Sequence, residues 1–472
     1  MRRNGISTLA IVSVALFMVT LDNLVVTNAL VSIREDLGAS LEQLEWTVNA
    51  YTLSYAVFLL SAAALGDRLG RRAVFVAGLG IFTVASAAAA MAPSTGALIA
   101  ARAIQGLGGA VVMPLSLTLL SDAFAGEKRG LALGIWSGVS GLGVALGPVV
   151  GGAVVGGFSW HWIFWLNVPI GIALVPVALA VLTESRGPNR TLDVPGVALA
   201  SSGLLGVVFG IVRAQALGWT STTVVASIGV GVVLLAAFVA WELRAPAPMV
   251  PMRFFRNRAF AATNGVSFAM FFGAFGSIFL LAQFFQVAQA YSPLEAGLRT
   301  LPWTAMPIFV APVAGILSDR IGSRPLMATG LALQSLALAY LALVTAPDVA
   351  YGLLVPGFVM AGSGMALVFA PSANALLSSV RQSEAGQASG ANNTIREVGG
   401  VLGVAVLASV FTSAGGYTSP QEYVDGLIPA VWVGAAVLAV GAMVALLVPG
   451  RRAGAAVEEL PERVAAAEAV AA

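Results

Sequence analysis

An all-α polytopic membrane protein is the fold class this sequence predicts, and three observations predict it. The 472 residues are 58% hydrophobic and 10% charged, with mean hydropathy +0.91, well above the balance of a water-soluble domain. The apolar residues gather into runs near the roughly 20 residues that a helix needs to cross hydrocarbon. One charged phrase occurs twice between such runs, as Leu65-Gly-Asp-Arg-Leu-Gly-Arg-Arg72 and Leu317-Ser-Asp-Arg-Ile-Gly-Ser-Arg324. A tight glycine turn carrying Asp and Arg cannot lie in hydrocarbon, so both copies belong to loops on one side, an even number of spans apart. Eight spans of about 31 residues fit their separation better than six of about 42.

The runs, in order, are Ile6–Leu30, Trp46–Leu65, Ala73–Met91, Ala97–Leu120, Leu131–Val155, Trp162–Leu182 and Val194–Val212. Val224–Trp241, Ala259–Phe285, Leu301–Leu317, Pro325–Thr345, Tyr351–Val380, Gly390–Ser413 and Ile428–Val448 follow, for 14 in all. The first follows Met1-Arg-Arg-Asn as in a signal peptide, but it is long enough to span and precedes no small-x-small cleavage site, so it is expected to stay. Arginine placement sets the orientation. With the N-terminus inside, inner loops receive Arg68, Arg71, Arg72, Lys128, Arg129, Arg186, Arg190, Arg244, Arg253, Arg256, Arg258, Arg320, Arg324 and Arg381, whereas outer loops receive Arg34, Arg213 and Arg299. Both termini are then expected on the cytoplasmic side of a bacterial inner membrane, the bacterial source being suggested by arginine-rich usage with Lys128 as the only lysine. The expected organisation is a six-helix bundle over 1–185, two inserted helices with linkers over 186–258, a second six-helix bundle over 259–450, and a tail over 451–472.

Without cysteine and with a single histidine, disulfides, thiolate catalysis, iron–sulfur clusters and multi-His metal centres are excluded. No interhelical loop is long enough for a soluble core, and no nucleotide-binding loop is present. The function must lie in or across the bilayer, with no cofactor, no metal and no nucleic acid; internal duplication of this kind marks alternating-access transport.

Several motifs carry a family resemblance. The repeated loop resembles the G-x-L-A-D-R-x-G-R-K motif of the major facilitator superfamily, with Ala63 at the leading glycine of the first copy and Gly315 at that of the second. Leu98-Ile-Ala-Ala-Arg-Ala-Ile-Gln-Gly-Leu-Gly-Gly109 resembles the family's arginine motif of helix 4, and Leu21-Asp-Asn-Leu-Val-Val-Thr-Asn-Ala-Leu30 resembles the helix 1 signature of its drug:proton antiporters, with departures at Leu24, Thr27, Asn28 and Val31. Gly143-Val-Ala-Leu-Gly-Pro-Val-Val-Gly-Gly152 matches the G-x-x-x-G-P-x-x-G-G run that accompanies export more than uptake. Trp160-His-Trp-Ile-Phe-Trp-Leu-Asn-Val-Pro-Ile-Gly171 and Tyr291-Ser-Pro-Leu-Glu-Ala-Gly-Leu-Arg-Thr-Leu-Pro302 resemble phrases of the 14-helix EmrB/QacA-like group, His161 standing where the family usually has arginine.

The resemblance implies a major facilitator fold and proton-coupled efflux of small hydrophobic or amphiphilic compounds such as antibiotics, by a functional monomer. An uptake symporter on the same fold and a non-transporting membrane sensor are the competing readings. Asp67, Arg68, Gly70, Arg71, Arg72 and Arg129, with Asp319, Arg320, Gly322 and Arg324 of the second copy, are expected to latch the cytoplasmic gate, Asp67 capping a neighbouring helix. Gly143, Gly147, Pro148, Gly151 and Gly152 are expected to bring helix 5 close to a neighbour, the first three glycines forming a stripe without side chains.

Read from the residues themselves, Arg102 is costly inside a span and needs a polar cavity or a counter-charge. Asp22 offers one, both lying roughly 12 Å from the external face. They are expected to share an aqueous pocket in which Asp22 loads and releases protons. Polar residues inside spans, Asn49, Thr52, Tyr55, Gln105, Gln283, Gln286, Asn374 and Asn392, are candidates to line the substrate cavity. Asn393 belongs with them, and Phe271, Phe275 and Phe279, four apart, form an aromatic stripe. Glu397 is placed beside Arg396 at the inner end of the thirteenth helix, so no acid is expected deep in the second bundle. Neutral, weakly cationic or zwitterionic cargo follows from that placement.

Overall fold

A computed structural model describes residues 2–39, 41–124, 129–187, 193–246 and 248–450; Lys128, Arg190 and the tail over 451–472 lie outside them. The first half of the chain forms α1 (Arg2–Leu37), α2 (Leu41–Leu69), α3 (Arg71–Ala90), α4 (Thr95–Ala123), α5 (Arg129–Gly157), α6 (His161–Trp165) and α7 (Asn167–Val181). A hairpin follows, α8 (Val194–Leu217) and α9 (Thr222–Glu242), then the short α10 (Arg253–Arg256). The second half comprises α11 (Arg258–Val287), α12 (Pro293–Thr304), α13 (Met306–Ile321), α14 (Ser323–Val344), α15 (Tyr351–Ser378), α16 (Ala385–Ala414) and α17 (Pro420–Ala445). No strand occurs among the described residues.

Helix starts follow local chemistry. Ser94, Asn257, Ser292 and Ser419 each accept a backbone N–H of the first turn that follows, and Ser292 completes a capping box with Glu295. Every expected apolar run lies on a helix, although several helices extend beyond their runs and two runs are broken. The sixth is divided at Leu166 into α6 and α7, and the tenth begins early, at Pro293, and is divided at Ala305 into α12 and α13. Pro302 and Pro307 flank that second break and remove two backbone donors from the ladder. Among the described residues 12 helices are long and apolar enough to cross a membrane, or 13 counting α2, which bends by 50° between Leu59 and Ser61. Of the 14 runs expected, the one left is α5, which is continuous through Pro148.

Because lipid gives no hydrophobic drive for helix pairing, close backbone approach must supply the packing. The two halves repeat the device. A Cβ on Gly108 of α4 would lie 2.8 Å from the Gly78 carbonyl oxygen of α3, and one on Gly330 of α14 would lie 2.6 Å from the Gly364 carbonyl oxygen of α15. Between halves, α2 packs on α16 and α5 packs on α12 and α13. The α8–α9 hairpin leans on α2 and α16, where the Ser61 and Ser201 hydroxyls meet at 3.0 Å.

Candidate functional site

Polar groups from α2, α3, α4 and the α6–α7 break converge on Asp22, midway along α1. Its Oδ2 accepts from Arg102 Nη1 at 2.5 Å, and its Oδ1 accepts from Gln105 Nε2 at 2.9 Å and from Asn167 Nδ2 at 2.7 Å. Arg102 also donates to Gln105 Oε1 at 2.7 Å and, from Nε, to the Thr47 carbonyl of α2 at 3.3 Å. Gln105 Nε2 reaches Ser86 Oγ of α3 at 2.7 Å. The guanidinium lies over the Tyr51 ring, 4.2 Å from its centre. The Arg102 and Asp22 side chains are 0% and 1% exposed, which closes the pair off from solvent.

The sequence brought Asp22 and Arg102 together correctly but not their surroundings. Because α1 continues to Leu37, Asp22 lies about 22 Å from that end of the helix and not near 12 Å. The two groups form a sealed ion pair in place of an aqueous pocket. Such a pair is costly unless the lone pairs and donors nearby are occupied. Gln105, expected in the substrate cavity, fills part of that need, while Arg102 Nη2 and the Tyr51 hydroxyl are buried without a hydrogen-bond partner among the described residues. Asn167, Ser86 and Tyr51 were not singled out; the Asn167 side chain is aimed by the α6–α7 break, and the Asn-x-Pro spelling of that break was the available signal.

The second constellation sits at the end of the bundle where α2 turns into α3. Asp67 accepts from Arg71 Nε at 2.8 Å, Arg71 Nη1 reaches Asp122 of α4 at 2.8 Å, and Ser185 Oγ donates to Asp122 at 2.7 Å. Glu184 accepts the backbone N–H groups of Arg72 and Ala73, the first turn of α3, at 3.0 and 3.1 Å. Gly70 and Gly322 turn the two copies with φ of 117° and 88°, a region side chains disfavour. The Asp67 carboxylate lies against Gly386 in the first turn of α16, and the Asp319 carboxylate lies against Gly130 in the first turn of α5. Each copy therefore lays an acid on the N-terminus of a helix from the opposite half, where the helix dipole favours negative charge. Any side chain at Gly130 or Gly386 would occupy the carboxylate's place. Arg129 is electrostatically close to Asp319 and Asp122, whereas Arg68, Arg320 and Arg324 are exposed. The motif named the paired Asp and Arg of the first copy but not Asp122, Glu184 or Ser185.

In α5, a Cβ on Gly143 would lie 3.0 Å from Thr20 Cβ of α1, and one on Gly152 would lie 3.4 Å from Leu294 Cβ of α12. Gly147 and Gly151 belong to the same helix, as does Pro148. Tighter contacts come from outside the expected stripe: Gly134 and Gly141 against Ala311, Pro312 and Pro307 of α13.

The other cavity candidates scatter. Asn49, Thr52 and Tyr55 share α2, Thr52 bonding back to the Val48 carbonyl at 3.3 Å. Asn392 is not on a cavity: it is 2% exposed and spends its amide on Asn264 and Ser267 of α11, and Asn393 beside it is equally buried. Asn374 donates to Asp319 and Ser318 at 3.2 Å each, so it supports the second charged turn. Gln286 is exposed at the far end of α11, and Gln283 bonds Tyr417 there at 3.3 Å. His161 stacks on Trp160, ring centres 3.8 Å apart.

The placement of Glu397 is a correction. Helix α16 begins at Ala385 and not near Gly390, so Glu397 lies about 18 Å along it, at the depth of the bundle's middle. A carboxylate is therefore present deep in the second half. Arg396 beside it is 3% exposed and held between the rings of Phe271 and Phe369, at 4.4 and 4.2 Å.

With this geometry in view, the chain can be set beside known proteins. The family model described as Major Facilitator Superfamily matches residues 12–404. The chain is 35% identical over 426 residues to the tetracenomycin C resistance and export protein of Streptomyces glaucescens, covering 90% of this chain and 79% of that one. It is 37% identical to the cephamycin export protein CmcT of Amycolatopsis lactamdurans (88% and 87% covered) and 33% identical to the multidrug efflux pump LfrA of Mycolicibacterium smegmatis (89% and 83%). Its fold is similar to that of the human organic anion transporter MFSD10 (TETRAN), at TM-score 0.68 and 14% identity over 93% of this chain and 99% of that chain.

Proposed function

Because the chain belongs to the major facilitator superfamily, we propose that it exports small hydrophobic or amphiphilic compounds, antibiotics among them, in exchange for protons. It is a membrane transporter for small molecules and not an enzyme. Relatives named as resistance and export proteins support the direction of transport. The observation that carries the coupling is the sealed Asp22 site, where one carboxylate accepts from three donors on α4 and at the α6–α7 break.

An ionised Asp22 holds α1 to α4 and α7 through those donors. A proton on it removes the charge that Arg102 pairs with and turns one acceptor oxygen into a donor, so the junction loosens. In the proposed cycle Asp22 takes its proton from the outside in the outward-facing state, cargo leaves, and the proton is released inside after the return. One charge moved through 100 mV is worth roughly 2.3 kcal/mol, enough to drive such a cycle uphill. The reading includes 14 spans, both termini and the Asp67 turn facing the cytoplasm of a bacterial cell, and a functional monomer.

The test is accumulation of a fluorescent dye or antibiotic in efflux-deficient cells carrying wild type or Asp22→Asn, with and without a protonophore. Wild type is expected to lower accumulation at least several-fold, and either Asp22→Asn or the protonophore to abolish that difference. Export that persists in Asp22→Asn would place the proton elsewhere. Accumulation that rises with expression would establish uptake.

A further inference from the structure

We propose that Asp193 and Glu242, at the base of the α8–α9 hairpin, bind one proton between them, and that this proton fastens the strap of chain joining the hairpin to the second half. The inference rests on the export reading for the side of the membrane that the strap faces, and it adds a proton site apart from Asp22.

The geometry of the two acids leads to it. Asp193 caps α8, its Oδ1 accepting from the Gly196 N–H at 2.9 Å and from Trp241 Nε1 at 2.7 Å. Its Oδ2 is buried with no hydrogen-bond partner among the described residues. Glu242, the last residue of α9, is 3% exposed. Gly196 lies against both acids: a Cβ there would fall 2.4 Å from Asp193 Oδ2 and 2.9 Å from Glu242 Oε1. The two carboxyls are within hydrogen-bonding reach of one another. Ionised carboxylate oxygens can only accept, so two that face each other repel unless one carries a hydrogen. Among the described residues neither acid forms an ion pair; Arg186, Arg244, Arg256 and Arg258 are exposed, and Arg253 pairs with Glu384. One proton shared by the pair satisfies the orphaned oxygen and removes one of two buried charges.

The pair holds more than itself. Glu242 Oε1 and Oε2 accept the backbone N–H groups of Met249 and Val250 at 3.3 and 3.1 Å, in the strap between α9 and α10. The Met249 and Val250 side chains are buried in one cluster with Ala200 and Phe238 of the hairpin and with Phe260, Leu376 and Ala388 of the second half. Beside them the Gln387 amide donates to the Pro248 carbonyl at 3.1 Å. Gln387 follows Gly386, against which Asp67 lies, so the strap and the first charged turn grip the same turn of α16.

With the proton in place, Glu242 Oε1 donates to Asp193 Oδ2 while Glu242 Oε2 keeps the Val250 N–H. Loss of the proton leaves two like charges in contact away from water. They separate when Glu242 swings out, and the N–H groups of Met249 and Val250 are dropped with it. In the released form both acids are solvated and hold no proton near neutrality. The strap is therefore fastened at low pH and let go as pH rises, each release costing one proton. In an exporter driven by protons, the grip on α16 then follows the proton level of the compartment that those protons enter, and a collapsed gradient fastens it.

The test measures the distance between spin labels on Ala198→Cys of α8 and Phe255→Cys of α10 in the purified full-length protein. Both positions are exposed, and the chain has no cysteine of its own. Raising the pH from about 6 to about 8 is expected to convert one short distance into a longer one, the longer population growing by up to about tenfold per pH unit. Glu242→Gln, whose amide donates to Asp193 with no proton to lose, should keep the short distance throughout, and Asp193→Asn should do the same. A distance that ignores pH without these substitutions, or a pH response that survives in either amide variant, overturns the proposal. Dye export from cells separates the two readings. Protonophore-sensitive export with pH-independent distances would remove the acid pair and leave the export reading. A pH response that needs Glu242, in a protein that exports nothing, would do the reverse.

Discussion

The Asp22 site ties each of its members to a separable role. Removing one partner of a buried ion pair leaves the other charged and alone, at a cost of about 3–5 kcal/mol. Arg102→Ala is therefore expected to lower unfolding stability in detergent by that order, whereas Asp22→Asn combined with Arg102→Gln, which leaves neither charge, should lose distinctly less than the sum of the singles. Chemical unfolding of the purified variants checks this, and additive losses would show that the pair is not the unit described. Asn167→Ala removes one of three donors to Asp22, about 1–3 kcal/mol of hydrogen bonding to a charged group. Export should fall several-fold at unchanged expression, and full activity in this variant would assign Asn167 a passive role. At this scale the sequence was legible for charges, because an Arg or Asp in an apolar run announces itself. Neutral partners such as Ser86 and Tyr51 become visible only when helices distant in the chain meet.

Helix ends decided more than helix faces did. Hydropathy located α16 from its apolar second half and missed its first turns, because Ala385 to Ser389 include Gly386, Gln387 and Ser389, which are buried among protein groups and not in lipid. That shortfall of one turn misplaced Glu397 in depth. The breaks at Leu166 and Ala305 were likewise invisible to a count of apolar residues, although Pro302 and Pro307 mark the second. Gly386 allows α16 to begin under Asp67, so Gly386→Leu should prevent the carboxylate from seating and shift the bundle toward a form open at this end. The chain contains no cysteine, so Ser389→Cys gives a unique reporter at a residue that is 0% exposed and bonded to the Pro114 carbonyl. Maleimide labelling at this position is expected to be slow in the otherwise native chain and at least about tenfold faster with Gly386→Leu added. Equal rates would mean that this turn does not hold the end closed.

For the whole molecule, the duplication seen as two short phrases became two reciprocal contacts, Asp67 on α16 and Asp319 on α5. The membrane class, the helical runs and the repeat were legible because burial in lipid constrains composition so strongly. Which loop acid would touch which helix was not, since that depends on how two halves dock. An acid at a helix N-terminus contributes about 1 kcal/mol, so Asp67→Asn with Asp319→Asn should change the ratio of closed to open forms by roughly 30-fold, against roughly fivefold for either alone. Distances between spin labels across this end measure the populations, and no shift in the double variant would remove both contacts from the balance. Because each half lays an acid on a helix of the other, parting the halves at this end costs both contacts together. For a membrane that stores energy as a voltage, two fastenings at this end act as insulation, lowering the population of forms through which the stored gradient would drain.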